Sequence, residues 1–538
     1  MPIDLDADRL DSWKAIANYL GRSVRTARRW ESEEGLPVHR HRHNTGGSVF
    51  AYREELERWR QSRHDQAAPL VAPPMQGQTD ATIAVLPFNY LGADDSRAYI
   101  ADGFTEETIT ALSRVPALRV ISWTSSMTLK GSDQGARQIG RKLGASRLVE
   151  GTVRHEADRI RISARLVDVA SDSQLWSSRF DGTLDGLFDI QDDMANAVVA
   201  ALELQAASRP APSAQPDLAA WQFLVQARQA SLRWRKPAIE EAVALLEAGL
   251  AVAGDEPRLH AALGRTHLHY REAGIDFSEA PIQAAEASAS RVAALAPGLA
   301  AGQQLEGWIH YCKAEIAEAL AALRRAHAQE PWDPDTLAML ANCYLISGRV
   351  SEARPLIDTL CRIDPLTPLT RCMPGWADLL EGRFDAAVGP YQDMFDADPH
   401  NPFARLFLVL VLAAAGRRDA AQDLAVAVPP GVTASPPGQV LSLFAHALAG
   451  DGLPKLSPAL TEGLASTSDV MPRFIGQAYA IAGDVAQATH WIGRAADRGF
   501  INYPYLADHD PFLTALPADP AWTALLGRVR RRWEAFPG

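Results

Sequence analysis

PWDPDTLAMLANCYLISGRVSEARPLIDTLCRIDP, residues 331–365, holds one period of a pattern that organises the second half of the chain. Pro297, Pro331, Pro365 and Pro399 stand 34 residues apart, and Gly348, Gly382, Gly416 and Gly450 keep the same step. Proline cannot continue a helix, and glycine accepts the left-handed turn that ends one. Each period therefore reads as two helices, with the glycine between them and the proline closing the second. The internal positions agree. Ala319, Ala353, Ala387 and Ala421 are small where two helices must approach closely, as are Gly307, Ala341 and Gly375 in the first helix. Leu323, Ile357 and Tyr391 fill the next large position.

That combination is the tetratricopeptide (TPR) signature, and residues 217–538 resemble a TPR-like α-solenoid. Ile239–Pro257 and Ala261–Pro297 read as earlier repeats, the second six residues longer; residues 429–437 are a proline-rich loop, and Gly483–Ala488 restarts a repeat one residue short. Seven or eight helix pairs are expected. Gly499 through Trp533 resembles the closing segment of fusion proteins that join TolB-like and TPR regions, and is expected to cap the last repeat, whose apolar face would otherwise be bare. The resemblance implies a concave groove for a protein or peptide, with Trp308, Tyr344 and Trp376 as candidate contacts beside Trp332. Aromatics at helical spacing more often belong to the core. Cys312, Cys343, Cys361 and Cys372 lie in this region at irregular spacings without a CxxC pair, and read as small buried residues.

Upstream, residues 205–216 (QAASRPAPSAQP) form a linker, preceded by an α/β pattern over 81–204. TIAVLPF, residues 82–88, is a near-continuous apolar run, as in a strand covered on both faces. A helix at 97–113, a strand at 118–123, a helix at 138–143, a hairpin over 147–168, a strand at 174–180 and a helix at 187–204 follow. The order βαβαβββα predicts a mixed sheet, with Ile160, Ile162, Ala164 and Leu166 inward and Arg159, Arg161 and Arg165 outward. IAVLPF, YIADGFTEETITALSRVPALRVISWTSS, IGRKLGASRLVEGTVR and RIRISARLVDVASDSQLWSSRFDG resemble the TolB-like (FlgO-type) amino-terminal domain. That resemblance implies a sensing or protein-binding module without enzymatic activity. The carboxylates Asp94-Asp95, Asp102, Glu106-Glu107 and Asp192-Asp193 read as solvated structural acids. Arg154, Arg159, Arg161, Arg165 and Arg179 are placed to line one sheet face, where a solvated face is the plainer reading than an anion or nucleic-acid site. No phosphate-cradling GxxxxGK[ST] loop, GxSxG elbow or HExxH pair occurs.

The first 63 residues differ again, and residues 64–80 link them to the rest. In SWKAIANYLGRSVRTARRWESEE, residues 12–34, Trp13, Ile16, Ala17 and Leu20 form one apolar helical face, Gly21 breaks it and Ser23 is placed to cap a second helix. Val24, Ala27 and Trp30 point inward there, leaving Arg22, Arg25, Thr26 and Arg29 as an outward row. From Ser12 to His43, seven Lys or Arg face three acidic residues, in a chain whose net charge is −12. Val38–His43 alternates as a strand, Asn44-Thr45-Gly46-Gly47 is turn chemistry, Val49–Tyr52 returns, and Glu54–Arg63 closes as a helix. The order predicts a small winged helix-turn-helix. WKAIANYLGRSVRTARRWE, GLPVHR and the Tyr52–Trp59 segment resemble the MerR and excisionase type of DNA-binding domain. This reading places Arg22, Ser23, Arg25, Thr26, Arg28, Arg29, Arg40 and Arg42 at double-stranded DNA, with arginine reading guanine and neutralising phosphate. His39, His41 and His43 share one strand face without a companion cysteine or carboxylate at ligand spacing, so a wing facing phosphate is simpler than a metal site.

The whole is expected to be multidomain, α plus α/β. MPIDLDADRLD has no apolar signal region, and the longest uncharged apolar run, Leu406–Ala415, is half of the roughly 20 residues a membrane helix needs. A cytoplasmic protein without cofactor or metal is therefore expected. The favoured function is a bacterial transcriptional regulator, a homodimer by the habit of helix-turn-helix proteins, with no enzymatic role. The competitor is a protein-interaction scaffold that does not bind DNA. A nucleotide cyclase is disfavoured, because the helix-turn-helix occupies the place of a cyclase domain.

Overall fold

The computed structural model describes residues 9–10, 12–19, 24, 31, 36–40, 49–53 and 55–56 of an amino-terminal unit, Met1–Thr79. Of the second unit, Asp80–Gly538, it describes 81–537 apart from 93, 116–117, 157–158, 203–216, 232–234, 274, 429–434, 457–460, 462 and 464–467.

In the first unit β1 (Arg9–Leu10), α1 (Trp13–Tyr19), β2 (His39–Arg40) and β3 (Val49–Tyr52) surround a small core of Ile16, Ala17, Leu36, Ala51 and Leu56. The sheet order is β1-β3-β2, all antiparallel, with His39 opposite Phe50 and Arg40 opposite Val49. The expected returning hairpin is present. The strand β1, which pairs Leu10 with Ala51, is not signalled by the acidic opening residues.

The second unit opens with β4 (Ala81–Val85), β5 (Asn89–Tyr90), α2 (Tyr99–Ser113), β6 (Leu118–Val120), α3 (Trp123–Met127), α4 (Ala136–Leu143), β7 (Arg147–Glu156), β8 (Arg159–Asp168), β9 (Ser173–Thr183) and α5 (Leu187–Ala201). The sheet runs β6-β4-β7-β8-β9, with β4 parallel to β6 and β7, and β7, β8 and β9 antiparallel. The mixed sheet is the one the pattern predicts. Two short elements add to it: β5, and α3, which begins at Trp123 where the strand is expected to end. Helices α2 and α5 cover one face through Phe104, Leu112, Met194 and Val198 against Ile83, Val149, Ile160 and Ile162. Helix α4 covers part of the other through Ile139 and Leu143 against Ala84, Leu148 and Val167.

A long all-α, TPR-like array follows: α6 (Leu218–Ser231), α7 (Lys236–Ala253), α8 (Pro257–Glu272), α9 (Ala280–Leu295), α10 (Ala300–Cys312), α11 (Ile316–Gln329), α12 (Pro334–Ile346), α13 (Val350–Ile363), α14 (Pro368–Leu380), α15 (Phe384–Ala397), α16 (Pro402–Ala414), α17 (Arg418–Val426), α18 (Pro436–Ala449), α19 (Val470–Ile481), α20 (Val485–Asp497) and α21 (Pro520–Glu534). Each turn glycine adopts the left-handed backbone: φ is +75° at Gly348, +76° at Gly382, +74° at Gly416 and +77° at Gly450. One step earlier the same turn is made by Ala314 at φ 63°, so the repeat continues where its glycine does not. The small positions are packed as expected, with Ala319, Ala341, Ala353, Ala387 and Ala421 fully buried.

Two brackets fasten the α/β part to the array. At the first, Trp221 of α6 packs edge to face on Phe188, with centroids 5.9 Å apart, and closes on Gly103, where a Cβ would stand 2.5 Å from the indole. Beside it Asp102 accepts from Lys130 and Gln229, each at 2.6 Å, and Glu106 pairs with Arg228, whose guanidinium lies 4.7 Å over Trp123. The expectation that Asp102 and Glu106 are solvated acids is thus corrected. At the second bracket Asp364, just past α13, accepts on one oxygen from the hydroxyls of Ser122, Thr124 (2.8 Å), Ser125 (2.7 Å) and Thr367 (2.9 Å). Its other oxygen accepts from Thr370 at 2.7 Å. Ser122 begins α3 and Thr367 begins α14, so a carboxylate sits where two helix amino ends meet.

The array also closes on itself. Rather than covering only the last repeat, the carboxy-terminal segment returns along earlier turns. Gly499 abuts Ile316, the Ile501 N–H donates to the Ile346 carbonyl (3.0 Å) and the Asn502 amide to that of Leu345 (3.0 Å). Arg349 donates to the carbonyls of Trp533 and Phe536 at 3.0 and 3.1 Å. Inside the closure Arg473 of α19 is fully buried, 3.7 Å from buried Asp469 and within 4.5 to 4.9 Å of the centroids of Trp376, Phe474 and Phe500. Burial raises the Asp469 carboxyl above its ordinary range and Arg473 offsets part of that rise.

Replacing one member of a buried charge pair strands the other. Arg473→Ala is expected to cost about 3–5 kcal/mol, while Asp469→Leu/Arg473→Met, which removes both charges, costs far less; urea unfolding separates the two, and a harmless Arg473→Ala would show that the pair holds nothing together. Asp364→Ala leaves buried hydroxyls without their acceptor, at about 1–3 kcal/mol. Hydrogen exchange is expected to rise at residues 122–126 and 364–370 together, and a rise confined to 364–370 would show that the bracket does not hold the two parts.

Candidate functional site

Three surfaces bear on function. In the first unit, Arg22, Ser23, Arg25, Thr26, Arg28, Arg29 and Arg42 lie outside the described residues, as do His41 and His43. Arg40 is described. Its exposed guanidinium is held by Glu31, with N–O distances of 2.7 and 3.0 Å. His39 stacks on Phe50, with centroids 5.1 Å apart, and its Nε2 lies 2.6 Å from Glu55. The strand therefore spends two of its polar side chains on fastening the hairpin to its neighbours. Their carboxylate partners stand 9 and 16 residues away, a pairing that strand alternation alone does not reveal.

The second surface is the inside of the helical array. Trp308, Tyr344 and Trp376 are only 6%, 8% and 7% exposed, so all three belong to the packed interior rather than to an open groove. Trp308 donates to Glu272 at 2.6 Å beneath Arg265, whose guanidinium lies 3.7 Å from the ring centroid. The Tyr344 hydroxyl accepts from Arg324 at 2.8 Å. Trp376 lies under Arg473, on a helix more than 90 residues further along the chain. The candidate protein-binding contacts are thus corrected: the chain's own side chains occupy these rings. Trp332 is only partly buried against the same core.

The cysteines here are free thiols, and burial pushes Cys312 and Cys372 up to about 12 and Cys361 to about 11, away from the thiolate that reactivity needs. Among the described residues no group of three or more His, Cys, Asp or Glu is arranged to hold a metal ion. Of the remaining carboxylates, Asp94 caps a short helical turn through Ser96, and Asp192 and Asp193 are exposed. Glu107 is partly buried; burial pushes its carboxyl up to about 7, helped by Glu106 and opposed by Arg258, Arg114 and Arg228. It stands next to the first bracket and belongs to that interface.

The third surface is the sheet face opposite α2 and α5. Register places Arg154 opposite Arg161, Arg165 opposite Glu150, and Arg161 in turn opposite Asp181. Arg161 and Arg179 both reach Asp181, at 2.5 and 3.2 Å, and Arg165 reaches Glu150 at 3.2 Å. The arginines grouped from the sequence therefore do share one face. No helix among the described residues is long and apolar enough to cross a membrane.

A tetratricopeptide repeat family model matches residues 314–369. "Putative adenylate cyclase 3" of Rhizobium meliloti (strain 1021) is 36% identical over 213 residues, which are 38% of this chain and 36% of that protein. "Cellulose synthase operon protein C" of Pseudomonas fluorescens (strain SBW25) is 31% identical over 142 residues, 25% of this chain and 11% of that protein. Both matches thus take in little more than a third, or less, of the curated relatives' lengths. Among solved structures, a tetratricopeptide repeat protein from Parabacteroides merdae ATCC 43184 is 10% identical with a TM-score of 0.32, covering 52% of this chain and 100% of its own. The array is similar to TPR proteins, which join other proteins or peptides through their repeats.

Proposed function

We propose that the protein is a DNA-binding transcriptional regulator. Its amino-terminal unit contacts duplex DNA in the manner of a winged helix-turn-helix. The TolB-like α/β region and the TPR-like array receive a protein or small-molecule signal, acting in the cytoplasm as part of a homodimer. The observation that carries this reading is the antiparallel β2–β3 hairpin beside α1, in a stretch where seven basic residues face three acidic ones. The ties from Arg40 to Glu31 and from His39 to Glu55 support a wing held at a set angle. An interaction scaffold without DNA binding is the second reading, favoured by the repeats themselves.

On the first reading Arg22, Arg25, Thr26 and Arg29 carry base recognition, with Arg28 and Arg42 on phosphates. Arg40, committed to Glu31, contributes by positioning. The cyclase named in the first relative is not carried over, because the match leaves most of that protein's length unpaired. We propose no enzymatic activity, and cyclic AMP formed from ATP and Mg²⁺ by the purified chain would overturn that. With DNA recovered genome-wide on the tagged protein as probe, Arg25→Ala and Arg29→Ala are each expected to weaken specific binding by ~1–3 kcal/mol for every bidentate arginine–guanine pair removed. Equal affinity in both variants removes the recognition-helix assignment, and a chain that ignores DNA at ~50 mM salt, where phosphate contacts are strongest, is the scaffold.

A further inference from the structure

The open end of the α/β sheet is a second basic surface. On this face α4 packs over Leu148 and Val167, and beyond it the outward positions of β7, β8 and β9 have no helix on them among the described residues. Arg154 and Arg161 stand directly opposite each other on neighbouring strands, an arrangement of like charges that an antiparallel pair ordinarily avoids. Thr152 faces Ser163 in the next rung, and Ser177 faces Arg165. From the solvent side of α4, exposed Arg137, Arg141 and Lys142 extend the same side of the sheet. With Arg159 and Arg179, eight cations meet Glu150, Glu156 and Asp181 of the outward strand positions here, although acids outnumber bases in the chain as a whole, 65 to 53.

The composition of the face selects its partner. Guanidinium and hydroxyl groups are the donors that proteins direct at phosphate and sugar. Single strands are held by bases stacking on aromatic rings, and the outward described positions of these three strands carry no ring: Trp176 and Phe180 turn inward to the core. Ten-residue strands are about 33 Å long, close to the ~34 Å of one duplex turn.

We propose that this face binds the sugar-phosphate backbone of duplex DNA without regard to sequence, as a second DNA contact separate from the amino-terminal unit. It extends the DNA-binding reading but stands on the sheet alone. The test uses the full chain and a labelled duplex of about 30 base pairs and random sequence, titrated between ~50 and ~200 mM salt. Arg141→Gln/Arg154→Gln/Arg161→Gln is expected to lower the slope of log K against log salt by about 2–3, at ~0.9 per phosphate contact, with an unchanged thermal midpoint. Asp181→Asn, which removes an acid from the face, is expected to tighten binding, so the idea is exposed even if the triple variant folds poorly. An Arg25→Ala/Arg29→Ala chain keeps the sheet-dependent part of the slope. The proposal is overturned if the triple variant binds as the parent does, if Asp181→Asn leaves affinity unchanged, or if poly-glutamate competes as well as duplex, which would mark a general anion surface. Loss of all binding in Arg25→Ala/Arg29→Ala also overturns it while leaving the recognition helix in place; loss in the sheet variant alone does the reverse.

Discussion

Asp364 is the constraint on which the second unit turns. A buried carboxylate is tolerated only where donors replace water, and five hydroxyls converge on this one from both sides of a domain boundary. Two helices start there, so the positive ends of their dipoles face the same negative charge. The consequence is positional. Ser122 N–H also reaches the Ile363 carbonyl at 2.6 Å, and Leu366 packs under the sheet, so sheet and array share one inter-repeat turn. At the other bracket Trp221 has to fit against Gly103, which a larger residue would prevent. Two attachments this far apart in the array leave little freedom for the α/β part to rock on it.

The inside of the array follows a related logic with the signs reversed. Charge at Arg473 and Asp469 is buried among rings rather than hydroxyls, a costly arrangement that the surrounding apolar contacts of Trp376, Phe474 and Phe500 must outweigh. The same contacts bring α19 against helices laid down far earlier in the chain. What reads as an inviting aromatic groove in the repeats is, in the folded molecule, filled by the chain's own side chains: Arg265 at Trp308, Arg324 at Tyr344 and, from a later helix, Arg473 at Trp376.

The repeats were legible because a 34-residue period is a local property, repeated until chance is an inadequate explanation. The sequence of elements in the α/β part was legible for a similar reason, since alternation in Ile160 to Leu166 and the apolar run at 82–88 each reveal which faces are covered; the order of the strands within the sheet was not. Ala314 shows the limit of reading by residue type: the turn persists at φ 63° without its glycine because the flanking helices impose it. The brackets and the closure were not legible. Ser122 and Asp364 are 242 residues apart and Arg349 and Phe536 are 187 apart, and no period or motif links such partners. For the same reason Asp102 and Glu106 read as solvated acids, and Trp308, Tyr344 and Trp376 as candidate groove contacts beside the core reading.

An open solenoid is held together only between neighbours, so it can fray from either end and lose one repeat at a time. The return of Gly499–Phe536 across the turns at Ala314, Gly348 and Gly382 removes that independence. Residues synthesised late contribute to the stability of turns that lie 157 to 187 residues earlier. Until they leave the ribosome, the middle repeats lack part of their core, and a stop codon placed before residue 499 would weaken the centre of the array as well as its end. A late segment is in effect the keystone of the middle.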